Sequence, residues 1–511
     1  MIISRTRNAK RNSFWGMVGR IIGLLLPFAS KTVIIKALGA DYLGLNGLFT
    51  SILTVLNLTE LGVGSAIVYS MYKPIAEGDD DLVCALLNTY KKIYKVIGLS
   101  IIGIGFLLIP FLHYLIKGDV PDDINLYVLY GLYILNTSIS YLLFAYKKSL
   151  IHACQRDDIT SKITIVTDIV LNLSQIVFLL LTHNYYWFII LQILFVLINN
   201  LINSYFADKY FPQYKSRGSI SKELSADIKQ RVTGLMVIKV AAVSRNALDS
   251  IIVSAFLGLQ AVAMYNNYYY IISALSSILL VFMSAIAAGV GNSVAVETKE
   301  KNLNDMRKIN FLYLMISGVF TSCLISLYQP FMRMWVGDKL MFGDNIMIMF
   351  ALYFLLQKIG DVQVQYFDAA GLWWNGKWRG VIEAIANLAL NVGLGYLFGV
   401  IGIVLATILT IIFINFPLST YYTFKYYFKK DMKPFILEQI HTVLKIIICS
   451  LICYYLVRLM PDGATIYINI IMLVVKGVAS VGLFLTLFSL INIRNKLFKT
   501  SLDWIYTKIC M

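Results

Sequence analysis

FWGMVGRIIGLLLPFASKTVIIKAL, residues 14–38, reads as a membrane helix with two cations inside its span. The run is long and apolar enough to cross a bilayer, which takes about 20 residues. Yet it carries Arg20 and Lys31. Eleven positions separate them, so at about 100° per residue the two side chains point nearly the same way, about three turns apart. A charge inside a membrane costs at least about 2.5–3.5 kcal/mol and normally faces protein or a water-filled interior. The stretch is therefore expected to form the wall of a cationic cavity. Pro27, between the two cations, marks a hinge or a fixed kink.

The rest of the chain continues the pattern. Of 511 residues, 59% are hydrophobic and 14% charged, with mean hydropathy +0.73. That balance identifies an all-α polytopic membrane protein. Fourteen spans are expected, at 14–38, 45–70, 93–116, 124–146, 161–182, 186–207, 233–257, 265–294, 309–330, 346–367, 378–397, 400–424, 439–459 and 466–492. The net charge of +16 reflects topology rather than nucleic-acid binding. Cations crowd the segments on the N-terminal side, as in Lys91, Lys92, Lys95 and Lys147, Lys148, whereas the opposite side holds Lys117, Arg333, Lys339 and Arg458. By the positive-inside rule both termini are cytoplasmic. The start resembles a signal peptide, but Arg20 and Lys31 interrupt its apolar run and no small-x-small site follows, so it reads as retained. The six cysteines are scattered without a CxxC, and the four histidines lie mostly near span ends. Neither a disulfide framework, a metal site nor a catalytic His pair is expected.

Internal matches recur at an offset near 219 residues. Leu38-Gly39 answers to Leu257-Gly258, Arg20 to Lys239, Gly62-Val63-Gly64 to Gly289-Val290-Gly291, and Pro110-Phe111 to Pro330-Phe331. Val166-x-Asp168-x₃-Asn172 answers to Val381-x-Glu383-x₃-Asn387. Six spans therefore match six, both sets starting on the same side. This predicts two six-helix pseudo-symmetric lobes around a central cavity, residues 1–215 and 216–432, with two further spans and a cytoplasmic tail in 433–511. In transporters built from such halves the substrate site lies at their interface.

Three groups of residues are candidates for chemistry. Arg20, Lys31, Lys239 and Arg245 would hold an anionic headgroup such as a phosphate, for which arginine offers a planar fork. The plainer reading pairs Arg245 with Asp249 at i, i+4 and Glu60 with Arg20 or Lys31. Asp168, Asn172 and Gln175 share one face of the fifth span, as do Glu383, Asn387 and Asn391 in the eleventh. Those stripes would bind sugar hydroxyls or glue helices together. Asp168, Asp249 and Glu383 are also candidates for an H⁺ or Na⁺ site. The inner motif Asp368-Ala-Ala-Gly371-Leu-Trp373-Trp374 reads as an interfacial belt with a gating or headgroup role as the alternative, and Lys358 and Asp361 are spaced to neutralise each other. Gly62, Gly64, Gly289 and Gly291 permit close helix approach or bending.

On three stretches the chain resembles the polysaccharide transporters of the multidrug/oligosaccharidyl-lipid/polysaccharide exporter superfamily, the O-antigen and capsule repeat-unit flippases. These are LGADYLGLNGLFTSILTVLNLTELGVGSAIVYSMYKPIAEGD (38–79), DAAGLWW…EAIANLALN (368–391) and GVIGIVLATIL (399–409). The resemblance implies alternating access and a cationic cavity. It implies an undecaprenyl-pyrophosphate-linked oligosaccharide as substrate, turned across the bacterial inner membrane by a monomer. No cofactor is implied; H⁺, Na⁺ or the membrane potential is left as the driving force, and a polysaccharide polymerase as a partner. The rivals are a multidrug antiporter or a peptidoglycan-precursor flippase of the same fold. A membrane enzyme is disfavoured, because the outer loops are short and poor in ionisable pairs.

Overall fold

The computed structural model describes residues 5–509 other than 61–62, 374 and 464, and within that range it leaves out the side chains of residues 5–7, 9–10, 58–59, 65, 231, 234–235, 237–246, 288 and 505–509. The chain divides into two compact units, Met1–Ala263 and Met264–Met511.

The first unit contains α1 (Arg5–Ala37), α2 (Ala40–Leu56), α3 (Val63–Glu77), α4 (Asp80–Leu108), α5 (Leu126–Leu142), α6 (Tyr146–Ala153), α7 (Asp157–Thr182), α8 (Tyr186–Tyr210) and α9 (Lys222–Leu257). The helix α10 (Leu259–Val296) begins in it. The second unit continues with α11 (Lys299–Val336), α12 (Asp344–Gln357), α13 (Asp361–Ala369), α14 (Lys377–Phe398), α15 (Val400–Thr410), α16 (Phe416–Tyr422), α17 (Lys433–Arg458), α18 (Ile466–Asn492) and α19 (Lys496–Ile509).

The protein is an all-α, multi-pass membrane protein. Among the described residues, eleven helices are long and apolar enough to span a membrane, and twelve if the bent pair α5–α6 is one span. The two expected spans that fall short are 45–70 and 233–257. The first is interrupted by the 3₁₀ turn Asn57–Glu60 and so yields the shorter helix Ala40–Leu56. The second runs within α9, of which Ala247–Leu257 registers as apolar. Both lie on helices, so each of the fourteen expected segments has a helical counterpart.

Local chemistry explains the element ends. Ser221 and Thr298 cap α9 and α11 by accepting from Leu224 N and Lys301 N at 3.2 and 3.3 Å. Asp79 caps α4 the same way at 2.9 Å. In the first unit α9 lies along α2. Gly44 makes room there: a Cβ on it would sit 2.2 Å from the Leu259 carbonyl oxygen. Compact packing divides the chain at 263/264, with α9 packed on α2 and α3 in the first unit.

Candidate functional site

The stretch that opened the sequence reading is one unbroken helix, with Pro27 inside it. Arg20 and Lys31 therefore keep the common direction their spacing dictates. Arg20 is exposed and Lys31 half-buried. The packed side of α1 rests on α7, where Ser30 Oγ donates to Asn172 Oδ1 at 2.7 Å.

At its start α1 is fastened by a carboxylate that stands out in no sequence pattern. Asp158 is 1% exposed and takes Arg11 at 2.9 Å, Arg156 at 3.0 Å and Lys162 at 3.9 Å. Asn12 adds Oδ1 as acceptor for the Asp158 N–H at 2.9 Å. The missed signal was the acidic first turn of α7, Asp157-Asp158, close to the N-terminal cations in no sequence window.

Glu60 ends the 3₁₀ turn between α2 and α3. Tyr94 Oη donates to its Oε1 at 2.7 Å and Tyr141 Oη to its Oε2 at 2.8 Å. The pairing partners expected from the sequence were Arg20 and Lys31, whereas the hydrogen-bond partners found are tyrosines. Gly64 belongs to the same cluster, since a Cβ there would lie 2.8 Å from Tyr90 Oη. Its role is close approach. Gly62 lies outside the described residues. Gly289 and Gly291 sit inside continuous α10, and a Cβ at either would meet no atom within 4 Å.

Asp249 is buried on α9. Lys239 and Arg245 lie on the same helix, with side chains outside the described residues.

The two polar stripes are used mainly for packing inside their own units. On α7, Asn172 is held by Ser30, and Gln175 Nε2 donates to the Phe188 carbonyl at 2.9 Å. On α14, Asn387 Nδ2 donates to Thr407 and Thr410 hydroxyls at 3.2 and 3.4 Å, and Asn391 Nδ2 to Asn387 Oδ1 at 3.1 Å. Each stripe begins with a carboxylate. Asp168 borders a polar pocket, and Glu383, 2% exposed, receives a hydrogen bond from Asn415. Asn415 ends a π-helical stretch, Ile411–Asn415, a local widening that recurs at functional sites.

In the inner motif Trp373 Nε1 donates to Asp368 at 2.9 Å; Trp374 is outside the described residues. Lys358 and Asp361 pair at 3.9 Å across the break between α12 and α13, and Tyr313 Oη donates to the same carboxylate at 2.6 Å.

No protein-family model matches the chain, and no curated protein matches it in sequence. Solved structures do match. The chain is similar to "Lipid II flippase MurJ, inward closed conformation" with TM-score 0.66 at 17% identity, over 94% of this chain and 98% of that one. It is also similar to an inward-facing multidrug resistance MATE family transporter of the MOP superfamily, with TM-score 0.61 at 14% identity, over 81% and 98%. The fold is like that of these two structures. A third structure, a MOP superfamily transporter from Pyrococcus furiosus described with a binding pocket of reverse polarity, aligns with TM-score 0.52 at 16% identity, over 83% and 96%. The structures named are a flippase and transporters. At such identities the likeness carries the fold and assigns no residue a role.

Proposed function

We propose that this protein is a flippase for undecaprenyl-pyrophosphate-linked oligosaccharide repeat units, moving them from the cytoplasmic to the outer leaflet of a bacterial inner membrane for O-antigen, capsule or exopolysaccharide assembly. The observation that carries the reading is a membrane-embedded helix, α1, with Arg20 and Lys31 on one side, in a MOP fold similar over 94% of its length to a lipid II flippase. The physical task is to pass a phosphate-charged, sugar-bearing head through about 30 Å of hydrocarbon. Fixed cations in a hydrated cavity offset the desolvation of the phosphates, while the polyprenyl tail stays in lipid. The two lobes rock in alternation, with Lys239 and Arg245 completing the cation set and both termini cytoplasmic.

Two further observations support a flippase over a multidrug antiporter. Cationic drugs favour acidic cavities, which the cations of α1 oppose. The share of this chain matched by the lipid II flippase, 94%, also exceeds the share matched by the MATE transporter, 81%. A peptidoglycan-precursor flippase is the second reading, favoured by that same match; complementation of a strain depleted of its own lipid II flippase separates the two.

The experiment is deletion followed by extraction of lipid-linked sugars and surface polysaccharide. Loss of surface polymer with undecaprenyl-linked repeat units accumulating on the inner leaflet supports the proposal. Intact polymer with altered drug sensitivity contradicts it.

A further inference from the structure

The fourth expected span breaks inside the first unit. α5 and α6 meet at a 47° bend, and Phe144 within the break has φ +60°. A bulky residue occupies that left-handed region only when its surroundings force it, at a cost of about 1–3 kcal/mol. A break at the end of a span, beside the Lys147-Lys148 pair, can line a polar cavity.

Such a cavity of about 200 Å³ is present, walled by α5, α6, α7 and α8. Ser140, Lys148, Thr164, Asp168 and Asn200 supply its polar lining, and Phe195 an apolar wall. The Ser140 carbonyl, in the turn before the break, accepts from Asn200 Nδ2 at 3.4 Å. The neighbouring Asn199 is committed, donating to Thr167 at 2.8 Å and accepting from Asn203 at 3.0 Å. Lys148 and Asp168 interact electrostatically across the pocket, and no ion-pair contact joins them among the described residues. Adjacent Lys147 is turned away to Asp208. The ammonium hydrogens of Lys148 and the carboxylate lone pairs of Asp168 are thus left for an occupant.

That occupant must donate to Asp168 and accept from Lys148. It must carry no net charge, because a metal cation would meet the ammonium and a phosphate would meet the carboxylate. It must present an apolar face to Phe195. The volume has room for several waters or one small ring. A polyhydroxylated ring meets every condition. We propose that this pocket binds one uncharged sugar ring of the cargo. The assignment of the ring to the cargo rests on the flippase reading; the pocket itself does not.

The test is saturation-transfer NMR on the full-length protein in nanodiscs, with methyl glycosides of glucose, galactose, mannose and N-acetylglucosamine, and a methyl glucuronide as charged control. At least one neutral glycoside is expected to give signal, reduced tenfold or more in Asp168→Asn, Lys148→Met and the pocket-filling Val196→Phe, and unchanged in the exposed-surface variant Lys73→Ala. If Val196→Phe does not fold, the two polar variants decide. No signal from any neutral glycoside, signal that persists in the pocket variants, or stronger binding of the glucuronide overturns the proposal, the first leaving a water cluster as the occupant. Pocket-dependent binding with surface polymer intact after deletion would remove the cargo reading and keep the pocket. Polymer lost without glycoside binding would do the reverse.

Discussion

Asp158 and Gly64 show how single residues fix the surroundings of α1 and Glu60. Asp158→Ala would leave Arg11 and Arg156 without their shared carboxylate. Removing one partner of a fully buried pair costs about 3–5 kcal/mol, but Arg11 and Arg156 reach solvent, with side chains 30% and 22% exposed. The expected loss is therefore nearer about 2 kcal/mol, read as a lower thermal midpoint in detergent; an unchanged midpoint would show that Asp158 does not anchor α1. Gly64→Ala drives a methyl group against Tyr90 Oη, which is itself buried. A cost of about 1–3 kcal/mol is expected, and a stable Ala variant would mean the tyrosine cluster can shift freely. At this scale the sequence was partly legible. Arg20 and Lys31 stood out because charge inside an apolar run is conspicuous. Asp158 and Lys148 did not, because both sit at helix ends where charge is ordinary and their partners are remote in sequence.

At the scale of elements, the α14–α15 hairpin turns at Gly399, with φ +59°, and closes so tightly that a Cβ on Gly402 would lie 1.8 Å from the Leu394 carbonyl oxygen. Backbone cannot yield by that much, so Gly402→Val is expected to abolish accumulation of folded protein in the membrane. Normal levels would contradict the packing described. Asn387→Leu is the contrast. It removes two hydrogen bonds to the threonines of α15, and such bonds within membranes average about 0.6 kcal/mol, with a maximum near about 1.7. Insertion should survive with a small drop in thermal midpoint. Hydropathy located the twelve segments that are long and apolar enough to span, counting the bent pair as one, because length and apolarity are sums over residues; the expected spans 45–70 and 233–257 fall short of that among the described residues. It missed the breaks at Asn57–Glu60, at Leu143–Ala145 and between α12 and α13. Those depend on backbone hydrogen bonding, which a hydropathy sum does not register. The stripes lie on α7 and α14, and their amides go chiefly to neighbouring helices, a choice set by packing partners rather than by spacing.

For the molecule as a whole, outward movement of each negative charge is favoured by an inside-negative potential by about 2.3 kcal/mol per 100 mV, or about 50-fold in the leaflet equilibrium. A potassium diffusion potential imposed on proteoliposomes should therefore bias an anionic lipid-linked sugar toward the positive side. An unchanged distribution would point to coupling through a bound ion instead, with Asp168, Asp249 and Glu383 as the carboxylates to examine. The likeness in fold to the flippase and transporter structures was legible from the stretches 38–79, 368–391 and 399–409, whereas the sugar was not, since no spacing or charge pattern encodes a glycan's hydroxyls. The most direct measurement is flipping of an undecaprenyl-pyrophosphate-linked oligosaccharide by the purified protein in proteoliposomes, comparing the native chain with Arg20→Glu and Lys31→Glu. The account predicts flipping by the native chain and its loss in both charge reversals, with each variant inserted and folded. Flipping at native rates by either variant would contradict it.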